Sequence, residues 1–152
     1  MNVLLTRLYD WAEKASIFTK SNHSAQCVKF YEEFGELCSA ILKRNYANIP
    51  GELADVWVTY NICFKFNLLP QIMFPDDDCD ATFNYLDVHS ILLSMVEDFK
   101  DNKDIFPHLS SIAAINDINL YRAIEAKLIV LEGRLLTGAK MVNGVVVKGA
   151  DL

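Results

Sequence analysis

The stretch from Leu53 to Phe64 is apolar on nearly every side when it is drawn as a helix. Side chains with oxygen atoms occur there at only four positions, Asp55, Thr59, Tyr60 and Asn61. A surface helix would present a polar face to water, so this helix must be mostly enclosed by the rest of the protein. An ionised Asp55 inside it needs a partner, because burying an unpaired carboxylate costs many kcal/mol.

Helical spacing of apolar residues also dominates the rest of the chain. Three- and four-residue steps, interrupted by turn residues, predict five helices, at about 4–18, 23–44, 52–67, 81–100 and 120–136. A short sixth helix is predicted at 110–114, and Asn143-Gly144 between β-branched residues predicts a type I′ hairpin. We therefore expect an all-α fold, with a four-helix-bundle-like core of five or six helices and a small C-terminal β-hairpin. The chain is predicted to be a single domain, residues 1–152, with its core at 1–100 and 118–138 and the hairpin at 139–148.

The amino-acid composition argues against some classes of binding partner. The 152 residues, 52% apolar and 22% charged, are enough for one domain with a full hydrophobic core. A formal charge of −6, from 20 acidic and 14 basic residues, argues against nucleic acid as a partner. We expect no membrane association and a cytoplasmic location, because no apolar run approaches the roughly 20 residues that span a bilayer and the start of the chain does not resemble a signal peptide.

The four cysteines show no Cys-x-x-Cys spacing: they are Cys27, Cys38, Cys63 and Cys79. The first three fall inside apolar helical segments, where a free thiol packs as a small hydrophobic group. We expect structural thiols, with a metal-binding or redox role as the weaker alternative.

Acidic residues are concentrated on the second and third predicted helices. Glu32, Glu33 and Glu36 share one helical arc, which costs a few tenths of a kcal/mol per like-charge pair and calls for a compensating cation. Glu52 and Asp55 lie one turn apart on the next helix. Two antiparallel helices would bring these acids into one groove, and converging carboxylates suit Mg²⁺ or Mn²⁺. The alternative for the first group is a solvated helix face.

This spacing resembles the motif of the MazG-like all-α nucleoside triphosphate pyrophosphohydrolases of phages and bacteria, in which an acidic triplet is followed by Glu-x-x-Asp. Fifteen residues separate Glu36 from Glu52. Other positions similar to that family are Trp11, Gln26, Lys29 and the segment 140–148. The resemblance implies a MazG-type core and Mg²⁺-dependent hydrolysis, with Mn²⁺ as a possible substitute. The substrate would be a ribo- or deoxynucleoside triphosphate, and metal-activated water would attack its α-phosphorus to give a monophosphate and pyrophosphate.

The resemblance also implies roles for individual acids. The metal ligands would be Glu33, Glu36, Glu52 and Asp55. Glu32 would support a second metal or orient the attacking water, unless it is a solvent-facing helix acid. For Asp55 a structural alternative stays open, in which it is a buried acid paired with a basic side chain.

The implied substrate contacts are Gln26, Lys29, Lys127, Arg134 and Lys140. Lys29 could instead form an intrahelical ion pair with Glu33. Arg134 could equally be an ordinary basic residue near a helix C-terminus, where it favours the helix dipole.

The resemblance, together with apolar helices that exceed the needs of one small bundle, predicts a homodimer or a dimer of dimers. Two alternatives stay open for the activity. One is a catalytically silent helical regulator that binds a nucleotide or a protein, and the other is a phosphoribosyl-nucleotide pyrophosphohydrolase of the same superfamily.

Overall fold

The computed structural model describes residues 3–66 and 87–138 and the strand segments 140–142 and 145–147. Within these ranges the chain is helical apart from short connections and one pair of strands, which confirms the prediction of an all-α protein. The helices are α1 (Val3–Lys14), α2 (Ile17–Lys20), α3 (His23–Leu42), α4 (Ile49–Phe66), α5 (Val88–Lys100), α6 (Phe106–Ile115) and α7 (Leu120–Leu136).

Helix α4 is the centre of the core. It packs along α3 and α7 and also contacts α1 and α6. Its residues Leu53, Val56 and Trp57 are almost completely inaccessible to water. The predicted enclosure of this helix is therefore confirmed, and neighbouring helices of the same chain provide it. Consequently the apolar surface of α4 does not call for a second subunit, and the homodimer stays a prediction.

Two helix boundaries differ from those predicted at the N-terminal end of the core. The first helix ends at Lys14 and a separate turn, α2, follows, because Ser16 adopts a left-handed conformation with φ of 62°. Helix α4 begins at Ile49, ahead of the predicted Glu52. Pro50 does not prevent this, since the first turn of a helix has no use for the N–H that proline lacks.

The second half of the described chain departs further from the prediction. Helix α5 begins at Val88, not near Ala81, because the side chain of Asp87 caps it by accepting a hydrogen bond from the Ser90 N–H at 3.0 Å. Residues 67–86, which include the predicted start of this helix near residue 81, lie outside the described residues. Helix α6 extends well beyond the predicted 110–114.

Two short strands follow α7. Strands β1 (Lys140–Val142) and β2 (Val145–Val147) pair antiparallel, with Met141 opposite Val146. The intervening Asn143 and Gly144 lie outside the described residues, so the predicted turn type is not tested.

A bilayer span requires a helix of roughly 20 mostly apolar residues. None of the described helices combines the length and the apolar character that crossing a membrane demands.

Candidate metal centre

Three carboxylates converge where α3 passes the start of α4. Glu33 and Glu36 lie one turn apart on α3, and Glu52 lies in the first turn of α4. One carboxylate oxygen from each residue lies within 4.8 Å of the corresponding atoms of the other two. Glu33 is buried, Glu52 is half-buried and Glu36 is exposed, so the group extends from the protein interior to solvent. We call these three residues the carboxylate cluster.

The cluster forms because α3 and α4 run antiparallel and are joined by the short connection 43–48. Arg44 adopts a left-handed conformation there, with φ of 52°, and the Asn45 N–H returns to the Ala40 carbonyl at 2.9 Å. This reversal places the second half of α3 beside the first turns of α4. The N-terminal end of α4 also carries a partial positive charge, which favours an acid at Glu52.

The electrostatics of the cluster favour binding of a cation. Burial, together with the negative charges of Glu36, Asp55 and Glu33, raises the pKa of Glu52 above its ordinary value. Lys127 opposes this shift and does not cancel it. A divalent cation would remove the repulsion that these carboxylates exert on one another.

Asp55 is paired with a basic side chain of α7. Its Oδ2 accepts a hydrogen bond from Lys127 Nζ of α7 at 2.5 Å, and each side chain is only about a fifth exposed. Burial raises the pKa of Asp55, although the hydrogen bond and the charge of Lys127 act in the opposite direction. This is the structural alternative for Asp55. Its role as a fourth metal ligand stays a prediction, which would require the carboxylate to exchange Lys127 for a cation.

Lys29 compensates the acidic face of α3 from within the same helix. Its Nζ lies 2.9 Å from Glu32 Oε2 and 2.8 Å from Glu33 Oε1. Burial disfavours its charge, yet the two hydrogen bonds raise its pKa. The intrahelical ion pair considered as an alternative for Lys29 is thus present, and Glu32, which is about half-exposed, shares Lys29 with Glu33.

The other predicted substrate contacts are Gln26, Arg134 and Lys140, and none of them has a described contact with the carboxylate cluster. Gln26 is buried and donates a hydrogen bond from Nε2 to Ser21 Oγ at 2.9 Å, which ties the start of α3 to the preceding loop. Arg134 lies on α7 about two turns beyond Lys127, and its charge lowers the pKa of Asp55 slightly. Lys140 begins β1, and its side chain lies outside the described residues.

The raised pKa values of Glu52 and Asp55 predict how stability depends on pH without metal. An acid whose folded-state pKa is raised contributes stability that is present below its unfolded value and is lost as pH rises through the folded value. For Glu52 this window begins near the ordinary value of 4.5 and extends upward. We expect Glu52→Gln to flatten the decline in metal-free melting temperature above pH 4.5, measured by circular dichroism. An unchanged pH profile would contradict the electrostatic coupling within the cluster.

Comparisons with known proteins give one distant similarity. No protein-family model matches the chain, and no solved structure matches it. Over 70 residues, 46% of this chain, it is 31% identical to a Haemophilus phage HP1 protein described as an uncharacterized 18.2 kDa protein of the rep-hol intergenic region. The matched segment is 43% of that protein, so the chain aligns with less than half of its relative's length. The chain is therefore similar to a phage protein with no assigned activity.

Proposed function

We propose that this protein is a Mg²⁺-dependent nucleoside triphosphate pyrophosphohydrolase that acts in the cytoplasm as a homodimer or a dimer of dimers. The observation that carries the proposal is the convergence of Glu33, Glu36 and Glu52 within 4.8 Å. Like-charged side chains brought this close cost stability, which is a reason to expect a cation at this position. An all-oxygen donor set suits Mg²⁺, and Mn²⁺ can replace it.

The donor set fits the metal. Glu33, Glu36 and Glu52 would hold the cation, with Asp55 joining them if it leaves Lys127. A bound Mg²⁺ would neutralise phosphate charge and lower the pKa of a coordinated water. Phosphoryl transfer depends more on charge neutralisation and positioning than on a covalent nucleophile. A site built mainly from acidic and basic side chains is therefore sufficient.

Basic side chains from α7 supply the second half of the proposed site. Lys127 already reaches the cluster side of α4 through Asp55, and Arg134 contributes positive charge from the same helix. Both could contact phosphate oxygens of a bound triphosphate. Glu32, which is about half-exposed and bound to Lys29, would orient the attacking water as a general base.

The proposed self-association has some support on the surface. Helix α7 exposes Ile129, Val130 and Leu136, the last of which is 90% exposed. Apolar side chains grouped on one exposed helix are typical of a surface that another protein chain covers.

The activity is tested by a screen of ribo- and deoxynucleoside triphosphates with Mg²⁺, following both products. We expect a nucleoside monophosphate and pyrophosphate in equal amounts from at least one substrate, with no turnover in EDTA. Glu36→Gln, purified in the same way, should lose the activity by at least about 100-fold if it removes a ligand that orients the substrate-bound metal. That variant also controls for a contaminating hydrolase.

Three outcomes would overturn the proposal. Orthophosphate with a nucleoside diphosphate would show a different bond cleaved. Turnover confined to phosphoribosyl-nucleotides would identify a phosphoribosyl-nucleotide pyrophosphohydrolase instead. Nucleotide binding without turnover of any substrate would identify a silent regulator.

A further inference from the structure

A second cluster of potential ligands lies at the opposite end of the α3–α4 pair. His23 and Cys27 are one turn apart at the start of α3, and Cys63 faces them from the last turns of α4. Cys27 Sγ lies 3.3 Å from His23 Nε2 and 2.9 Å from Cys63 Sγ. One ligand atom from each residue lies within 4.8 Å of the others. All three cysteines in the described part of the chain are free thiols.

This cluster is separate from the carboxylate cluster. At about 1.5 Å per residue, Cys27 lies roughly 9 Å along α3 from Glu33, and Cys63 lies roughly 16 Å along α4 from Glu52. The ligand chemistry also differs, because the carboxylates suit a hard cation, whereas thiolates and imidazole suit a softer transition metal.

A cavity of about 330 Å³ adjoins the three side chains. Its other walls include the aromatic side chains of Tyr31, Phe64 and Phe99. Three protein ligands beside an open space are the arrangement in which zinc keeps its fourth coordination position free for water or another small ligand.

We propose that His23, Cys27 and Cys63 bind one Zn²⁺ ion per chain, with a water molecule or another small ligand from the cavity in the fourth position. Each thiol loses its proton to solvent on binding, so the site becomes a neutral imidazole and two thiolates. Tetrahedral geometry with Zn–S bonds of about 2.3 Å requires the two sulfur atoms to stand roughly 3.7 Å apart. They must therefore separate from 2.9 Å, which rotation of the half-buried Cys27 side chain can provide.

A disulfide between Cys27 and Cys63 is the competing use of the same thiols. It would require an oxidant to remove two electrons and two protons, and it would leave His23 without a role. The convergence of all three side chains favours the metal.

The test is a Zn²⁺ titration of the full-length protein, reduced and freed of metal with a chelator, in the presence of excess Mg²⁺. A chromophoric chelator reports affinity by competition, and Co²⁺ in place of Zn²⁺ reports thiolate ligation through charge-transfer absorption. We expect one Zn²⁺ per chain. Cys27→Ser and His23→Asn should each weaken Zn²⁺ binding by more than about 100-fold, since loss of mere supporting groups costs about 10- to 100-fold.

Two control variants make the result specific. Cys38→Ser removes a half-buried thiol of the same helix outside the cluster and should leave Zn²⁺ affinity unchanged. Glu36→Gln should also leave it unchanged, which separates this site from the carboxylate cluster and from the proposed hydrolase activity.

Cys63 is buried, so the Zn²⁺ affinity of Cys63→Ser is interpreted only if circular dichroism shows the native helix content. Cys27→Ser and His23→Asn test the site independently of the Cys63 variant. The proposal is overturned if the wild-type protein binds no stoichiometric Zn²⁺, or if the Cys27 and His23 variants bind it as tightly as the wild type. Formation of a Cys27–Cys63 disulfide in air by a protein that binds no Zn²⁺ when reduced would assign the thiols to redox chemistry instead.

Discussion

Asp55→Asn is expected to lower the free energy of unfolding of the metal-free protein by about 3 kcal/mol, because it leaves the Lys127 ammonium without its carboxylate. This value is the low end of the cost of breaking a buried ion pair, because each of the two side chains is still about a fifth exposed to solvent. Urea denaturation followed by circular dichroism measures the change. The variant should remain folded, as domains of this size usually have 5–15 kcal/mol of stability.

A double-mutant cycle separates the ion pair from other effects of the substitution. Lys127→Met alone should also destabilise the protein, because it leaves Asp55 buried without a cation. The double variant Asp55→Asn/Lys127→Met should recover much of the loss, since replacing both partners of a buried pair is often nearly neutral. Strictly additive losses would contradict a direct coupling between the two side chains.

The same variants decide whether Asp55 also serves as a metal ligand. If Asp55 exchanges Lys127 for Mg²⁺, then Asp55→Asn abolishes stabilisation by Mg²⁺ and Lys127→Met preserves or increases it. If Asp55 is structural only, then both variants keep the Mg²⁺ response of the wild type.

Glu36→Gln should have opposite effects with and without metal. In EDTA it relieves repulsion within the carboxylate cluster and should raise the melting temperature slightly. With Mg²⁺ at 100 times its dissociation constant, the wild type should gain about 2.7 kcal/mol of stability, and the variant should lose most of this gain at the same Mg²⁺ concentration. Thermal unfolding in EDTA and in Mg²⁺ measures both effects.

Glu13→Gln is the matched control for this experiment. Glu13 is an exposed acid of α1 that is not a member of the carboxylate cluster, so its neutralisation should leave the Mg²⁺ response intact. An equal loss in both variants would show that Mg²⁺ acts through general surface charge.

Local sequence signals were sufficient for several helix boundaries. The last helix has the predicted bounds because Asn119 caps its start, accepting from the Arg122 N–H at 2.9 Å, and Thr137-Gly138 ends it. The break at Ser16 was missed, because the apolar residues on both sides of this single left-handed residue continue the helical spacing. The start of α5 was misplaced because the cap that the Asp87 side chain provides was not identified in the sequence.

The two clusters differ in how far sequence could find them. The proximity of Glu33 and Glu36 to Glu52 followed from two helical faces and a short connection. The pair between Asp55 and Lys127 could not be predicted in the same way, because 72 residues separate the partners and their contact depends on how α7 packs against α4. His23 and Cys27 did have a local signal, their four-residue spacing, but Cys63 joins them only through tertiary packing.

Binding of Mn²⁺ followed by electron paramagnetic resonance tests the proposed metal centre most directly, because the signal of free Mn²⁺ reports how much of the ion is bound. We expect the wild-type protein to remove at least one equivalent of Mn²⁺ per chain from solution, Mg²⁺ to compete for the site, and Glu36→Gln to bind Mn²⁺ far more weakly than Glu13→Gln does. If the wild type leaves all of the Mn²⁺ free at millimolar concentration, or if Glu36→Gln binds it as well as the control, then Glu33, Glu36 and Glu52 do not form a metal site.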